Sequence, residues 1–229
     1  MTTISANLQA VRARIDAAAR KFGRRPEDIA LLAVSKTWPA CDVREAAFAG
    51  QKSFGENYVQ EGVEKVAELA SLNLEWHFIG PLQSNKTRLV AESFDWVHSI
   101  DRLKIAERLS EQRPDALPPL QVCLQVNVSG EATKSGVDPS DVDELAQRIA
   151  ALPRLTLRGL MAIPAPSEDF DQQCTDFRRL REIAERLQDT GLTLDTLSMG
   201  MSHDLEAAIA EGSTLVRVGT AIFGERSKT

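Results

Sequence analysis

Ile29-Ala30-Leu31-Leu32-Ala33-Val34-Ser35-Lys36 is an unbroken apolar run that ends in a single amine and halts at the turn-like Thr37-Trp38-Pro39. A continuous apolar run of this length, bounded by a proline turn, reads as a fully buried strand of the kind found in parallel sheets. Strand side chains alternate, so Lys36 shares its face with Leu32 and Val34. β/α proteins place their chemistry at the carboxyl ends of strands. Desolvation there lowers the pKa of an amine and makes a nucleophile able to form a Schiff base. The segment alone leaves a second reading equally open, in which Lys36 caps the strand and extends its ammonium to solvent.

On either side of this run, helix and strand patterns alternate to both ends of the chain. An amphipathic helix precedes it, with Ile4, Leu8, Val11, Ile15 and Ala18 at helical spacing and Phe22-Gly23 as its stop. Further strands are read at 53–55, 76–79, 95–98, 120–128, 155–163, 196–199 and 215–218. Helices are read at 42–48, 59–69, 85–91, 102–111, from Asp138-Pro139 onward, 170–187 and 205–211, with Asp101 as an N-cap. Eight short strands, each followed by a helix, predict an α/β fold: a single (β/α)8 barrel of the TIM type with an extra N-terminal helix, one domain over residues 1–229. A doubly wound open sheet is the alternative, since alternation does not separate closed from open.

The bulk numbers narrow the function classes. The 229 residues carry a net charge of −6, so there is no basic footprint for nucleic acid. No apolar stretch approaches the roughly 20 residues needed to span a bilayer, and Met1 to Asn7 lacks the pattern of a signal peptide. Cys41, Cys123 and Cys174 are widely spaced and odd in number, which fits reduced thiols in a cytoplasm. His77, His98 and His203 have no metal-ligand spacing.

Polar groups collect at the predicted strand ends: Gly55-Glu56-Asn57, His77 with Gly80 to Lys86, Lys134-Ser135-Gly136, Ser198 to Ser202, and Arg217-Val218-Gly219-Thr220. In a barrel these converge on one face. Ser202 stands where a helix N-cap is expected, and Gly219-Thr220 precedes the short apolar Ala221-Ile222-Phe223. Glycine lets backbone approach a ligand, and loops after strands seven and eight often bind phosphate. Singly, Ser202 caps and Gly219 turns. With Lys36 at the same mouth, a phosphate joined to an amine-reactive carbonyl becomes one coherent ligand, pyridoxal 5′-phosphate (PLP). Arg217, two residues before Gly219 in an apolar strand, points inward; it either faces the ligand or pairs with a carboxylate across the barrel. Lys134 is a rival amine in a glycine-rich loop.

Seven segments together carry a resemblance: 32–37, 54–61, 76–86, 134–136, 157–164, 197–202 and 216–224, read in full as Leu32 to Thr37, Phe54 to Glu61, Trp76 to Lys86, Lys134-Ser135-Gly136, Leu157 to Pro164, Leu197 to Ser202 and Val216 to Gly224. On these the chain resembles the pyridoxal phosphate homeostasis proteins, PLP-binding proteins with an alanine racemase-like barrel. His203 stands where an acid is more usual. The resemblance implies a monomer that holds PLP as an aldimine on Lys36, the ring nitrogen facing Arg217, the phosphate meeting Ser202, Gly219 and Thr220, and Asn57 and His77 near the ring. It further implies a guardian of PLP supply and of amino-acid and keto-acid balance, with PLP-dependent apoenzymes as possible recipients and no catalytic residues or turnover.

An enzyme is the competing class. Racemisation needs a base on each face of the α-carbon, and Lys36 supplies one. In the alanine racemases the other is a tyrosine of a partner subunit's added domain, whereas here the only tyrosine is Tyr58 beside the second strand. A barrel that binds a phosphorylated metabolite without covalent chemistry survives only if Lys36 is unreactive.

Overall fold

The computed structural model describes residues 3–131 and 135–225; Lys134, the rival amine, lies outside the described residues. Eight parallel strands close on themselves in chain order: β1 (Ala30–Val34), β2 (Ser53–Glu56), β3 (Glu75–Phe78), β4 (Trp96–Ile100), β5 (Leu120–Gln125), β6 (Leu155–Met161), β7 (Thr196–Ser198) and β8 (Leu215–Val218). Pairing of β8 with β1, which sets Leu32 beside Arg217, shuts the barrel and disposes of the open-sheet alternative. One helix precedes the barrel, α1 (Ile4–Lys21). The others each follow a strand: α2 (Ala40–Phe48), α3 (Val59–Glu68), α4 (Thr87–Ser93), α5 (Leu103–Gln112), α6 (Val142–Ala150), α7 (Phe170–Asp189), α8 (Leu205–Ala210) and the one-turn α9 (Thr220–Phe223).

The expected extra helix buries Leu8, Val11, Ile15, Ala18 and Ala19 against α2, α8 and α9, its first turn capped by the Thr3 hydroxyl. The strand alternation expected for β1 is present. Leu32 and Val34 face into the barrel, where they cluster with Ile79 and Leu215, while Ala33 faces the helices. A second inward cluster, Trp96, Cys123 and Met161, fills the opposite side of the interior. The barrel is therefore packed rather than an open pore.

Element ends differ from expectation where local hydrogen bonding competes. The helix expected from Asp138-Pro139 begins at Val142, because the Asp138 carboxylate takes the Ser140 amide in a turn of its own. Asp101 does not cap α5. Arg102 occupies that position, and the Asp101 carboxylate pairs with its guanidinium at 2.6 Å instead. The long run 120–128 is strand only as far as Gln125, after which the chain turns to meet Val137 through Val126.

Candidate functional site

At the carboxyl ends of the strands lies a cavity of about 190 Å³ whose wall includes Lys36, Asn57, Ser202, Arg217, Gly219 and Thr220. Six of the seven residues singled out in the sequence thus meet in one place, drawn from four different strand–helix connections and from β8 itself. A larger hollow of about 340 Å³ at the opposite end, around Arg12, Gln51 and Lys52, contains none of them.

His77 is the exception. Along β3 and the residue after it the inward positions are Glu75, His77 and Ile79, and it is Ile79 that reaches the cavity wall. His77 sits one layer deeper, 1% exposed, stacked 5.3 Å from the Trp96 ring and bonded to Glu75 and His98. It is therefore not part of the cavity wall: alternation identifies the face of a strand but not the depth along it.

Arg217 is held by carbonyl and hydroxyl oxygens rather than by a carboxylate. Its guanidinium, 3% exposed, donates from Nη1 to the Ser198 carbonyl and, at 2.7 Å, to the Ser198 hydroxyl, and from Nη2 to the Ala162 carbonyl at 2.9 Å. Among the described residues no carboxylate hydrogen-bonds to it; Asp204 acts on it only through its charge. Burial pulls the guanidinium down to about 10, which leaves it cationic at neutral pH. Cys123, buried nearby, is pushed up to about 12 by desolvation and stays a neutral thiol.

Ser202 does not cap α8 as expected. Asp204 takes that position, and the turn is closed by its carboxylate on the Met201 amide at 2.5 Å and by its own amide on the Met201 carbonyl. Ser202 is thereby left in the cavity wall, its carbonyl held by Arg14 Nη1 at 2.7 Å. Opposite it, Gly219 precedes α9, whose first amides have no partner within the helix. A Cβ at Gly219 would stand 3.1 Å from the Val34 carbonyl oxygen, so β1 and this loop approach as closely as glycine permits. Gly80 does the same for Asn57: a Cβ there would lie 2.2 Å from the Asn57 carbonyl. The Asn57 Oδ1 atom is buried with no hydrogen-bond partner among the described residues.

Lys36 is half-buried at the end of β1. The segment that carries it is gripped from behind by groups the sequence analysis did not single out. Lys65 of α3, 6% exposed, donates to the Ser35 carbonyl at 2.7 Å, to Glu56 at 2.8 Å and to Glu61 at 2.6 Å. The Ser35 hydroxyl donates to Glu56, and the Thr37 amide donates to Glu61. Thr37 has φ of +68°, a left-handed conformation that a β-branched residue adopts only when its surroundings enforce it. Glu61 and Lys65 at i, i+4 on a helix look like a solvated pair, so the only sequence signal here was the polar strand end Gly55-Glu56-Asn57.

The donor set fits the ligand deduced from the sequence: a primary amine, a permanent cation, an acceptor with no partner among the described residues, and a hydroxyl beside a glycine loop that opens a helix. Comparison with known proteins agrees with this chemistry. The family described as "Alanine racemase, N-terminal domain" matches residues 6–227. A pyridoxal phosphate homeostasis protein of Pseudomonas aeruginosa is 63% identical over 226 residues, covering 99% of this chain and 97% of that one. One of Escherichia coli K12 is 58% identical over 229 residues, covering 99% and 98%. The structure of PipY from Synechococcus elongatus, solved with PLP bound, is 40% identical and superposes with a TM-score of 0.85 over 97% of this chain and 100% of that one. Alanine racemase from Corynebacterium glutamicum, 18% identical with a TM-score of 0.69, covers 96% of this chain and 62% of its own, and shares the fold. A barrel of this topology, with this identity over nearly its whole length, belongs to the pyridoxal phosphate homeostasis protein family.

Proposed function

We propose that this chain binds pyridoxal 5′-phosphate covalently through Lys36 and serves the cell as a carrier and buffer of that cofactor rather than as a catalyst. The observation that carries the reading is the convergence of Lys36, Arg217, Ser202, Gly219 and Thr220 on one cavity. When bound, PLP supplies an aldehyde that condenses with a primary amine, with loss of water. Lys36 is the amine that the cavity wall presents. Ser202 and the amides at Gly219-Thr220 are assigned the phosphate, and Asn57 supplies an acceptor for a donor on the ligand. Arg217 can only donate hydrogen bonds, so it holds a facing ring nitrogen unprotonated and keeps the ring a poor electron sink.

The lack of a tyrosine in the cavity wall favours the carrier over the racemase. Tyr58, the chain's only tyrosine, is 56% exposed and is not part of the cavity wall. Among the described residues no helix is long and apolar enough to cross a membrane, which suits a monomer working in the cytoplasm on PLP-dependent apoenzymes. The experiment that tests the proposal is a visible absorption spectrum of the purified chain with PLP, before and after borohydride. A visible band and a reduced lysine adduct mapped to Lys36 are expected. No band, or an adduct elsewhere, overturns the assignment.

A further inference from the structure

His77, displaced from the cavity, belongs to a line of side chains that crosses the barrel interior. Glu75 at the amino-terminal end of β3, its side chain 47% exposed, lies 2.6 Å from His77 Nε2. His77 Nδ1 lies 2.9 Å from His98 Nε2 on β4, and His98 Nδ1 lies 2.8 Å from the Ser198 hydroxyl on β7. That hydroxyl lies 2.7 Å from Arg217 Nη1 on β8. The three middle residues are all 1% exposed or less.

The donor sense of the line is set from its arginine end. A guanidinium only donates, so Ser198 Oγ accepts from Arg217. Ser198 is fully buried, and the acceptor for its own hydrogen among the described residues is His98 Nδ1. His98 then carries its hydrogen on Nε2 and donates to His77 Nδ1, and His77 Nε2 donates to the Glu75 carboxylate. Burial first, with the Arg217 charge adding to it, holds His98 well below its ordinary value and keeps it neutral. The hydrogen bond from His77 is the main cause that holds Glu75 below the usual carboxylate range and so ionised. A cation at one end and an anion at the other are thus joined by hydrogen bonds that all point the same way, the arrangement in which each bond polarises the next.

We propose that Glu75, His77, His98 and Ser198 are positioning residues for Arg217, a line through the barrel that ties a carboxylate at its amino-terminal end to the guanidinium in the cavity wall. The inference rests on the reading that Arg217 faces PLP. The remaining ionisable groups around the line are accounted for. Cys123 is a neutral thiol, Arg158 is paired with Asp195 over the Trp96 ring, and Asp204 approaches Arg217 from the α8 side. None of these is hydrogen-bonded into the line.

Glu75→Gln keeps an acceptor for His77 and removes the charge; at a half-exposed site it leaves the fold intact. With Arg217 less compensated, a proton on the nitrogen that Lys36 contributes is disfavoured. The pH midpoint of the visible band in the PLP-loaded protein is expected to fall by about half a unit in E75Q, a modest shift on the scale of perturbed side chains. Ser198→Ala cuts the line and is expected to lower the midpoint too, and E75Q added to S198A is expected to lower it no further, the sign of coupling between non-adjacent sites. A parallel readout needs no ligand. In the PLP-free protein, nitrogen NMR should find His98 in its Nε2–H form, and the Arg217 Nε–H signal should move in E75Q but not when the same change is made in S198A. An unshifted midpoint and arginine signal in E75Q, additive shifts in the double variant, or His98 protonated on Nδ1 would each overturn the proposal. If wild type forms no band with PLP, the cofactor reading fails by itself, and the PLP-free spectra still decide whether the line exists.

Discussion

The Lys65 ammonium lies 2.7 Å from the carbonyl oxygen of Ser35, the residue immediately before Lys36. A charged side chain on α3 thus takes part of its coordination from the backbone that presents the cavity amine. Glu56 and Glu61 complete the coordination, and Glu61 also holds the amide of the strained Thr37. Burying such a cluster costs desolvation that its internal attraction only partly offsets. Its position, on both sides of Lys36, gives it a use that stability alone would not.

Lys65→Met is expected to destabilise the fold by roughly 3–5 kcal/mol, since it leaves the fully buried Glu56 without its cation. The loss has a definite pH sign. Burial already raises Glu56 above its ordinary value, with Lys65 opposing that rise, so removing Lys65 raises it further. A carboxyl with a folded pKa above its unfolded one favours the folded state when protonated, and that contribution fades as pH climbs from the usual carboxylate range through the folded value. Urea denaturation of K65M should therefore show higher stability near pH 5 than near pH 8. A flat or opposite profile would mean that Glu56 is not the group left unpaired.

Lys36→Ala is expected to abolish both the visible band formed with PLP and the borohydride-reduced lysine adduct, with little change in melting temperature, because Lys36 is only half-buried. Peptide mapping of the reduced protein is the check. An adduct that persists on Lys134 would transfer the covalent role to that loop.

Ser202→Ala is expected to weaken PLP binding by about tenfold or more. A hydrogen bond to a charged group contributes roughly 1.5–3 kcal/mol, and every 1.4 kcal/mol is a factor of ten. Since Asp204 rather than Ser202 terminates α8, the substitution should leave thermal stability unchanged. Unchanged affinity in a PLP titration would assign the phosphate to the Gly219-Thr220 backbone alone.

The alternation of apolar runs and helical faces made the strand order readable, because each parallel strand is buried on both sides and carries its own short hydrophobic signal. Closure was read only from the count of eight strand–helix units; the meeting of β1 with β8 across almost the full chain carries no local mark of its own. The cavity residues at strand ends were accessible from polarity against an apolar background, as with Lys36 and Arg217. Depth was not: polarity alone does not tell that His77 sits a layer below the cavity wall. Lys65 was invisible because a lysine four residues after a glutamate on a helix usually faces water, and only the tertiary position of α3 buries it. The bond between His98 and Ser198 joins residues 100 apart, beyond any pattern of local spacing.

The last prediction separates carrier from catalyst. Racemisation removes the α-proton on one face and returns one on the other, which needs two bases and a ring that accepts the electron pair. Lys36 offers one base. Tyr58 is largely exposed and outside the cavity wall, and His203, which does line it, is exposed to solvent. Arg217, a cation with a pKa of about 10, holds any ring nitrogen it faces unprotonated and weakens the ring as an electron sink. The cavity is also bordered by the exposed side chains of Ile163 and Met201, so water reaches it and dilutes electrostatic stabilisation of a carbanion. Incubating the PLP-loaded chain in heavy water with a panel of L- and D-amino acids should give α-deuteration no faster than PLP alone, with no difference between wild type and Lys36→Ala. Rapid deuteration of any of them by wild type, lost in Lys36→Ala, would place this chain among the enzymes that share its barrel.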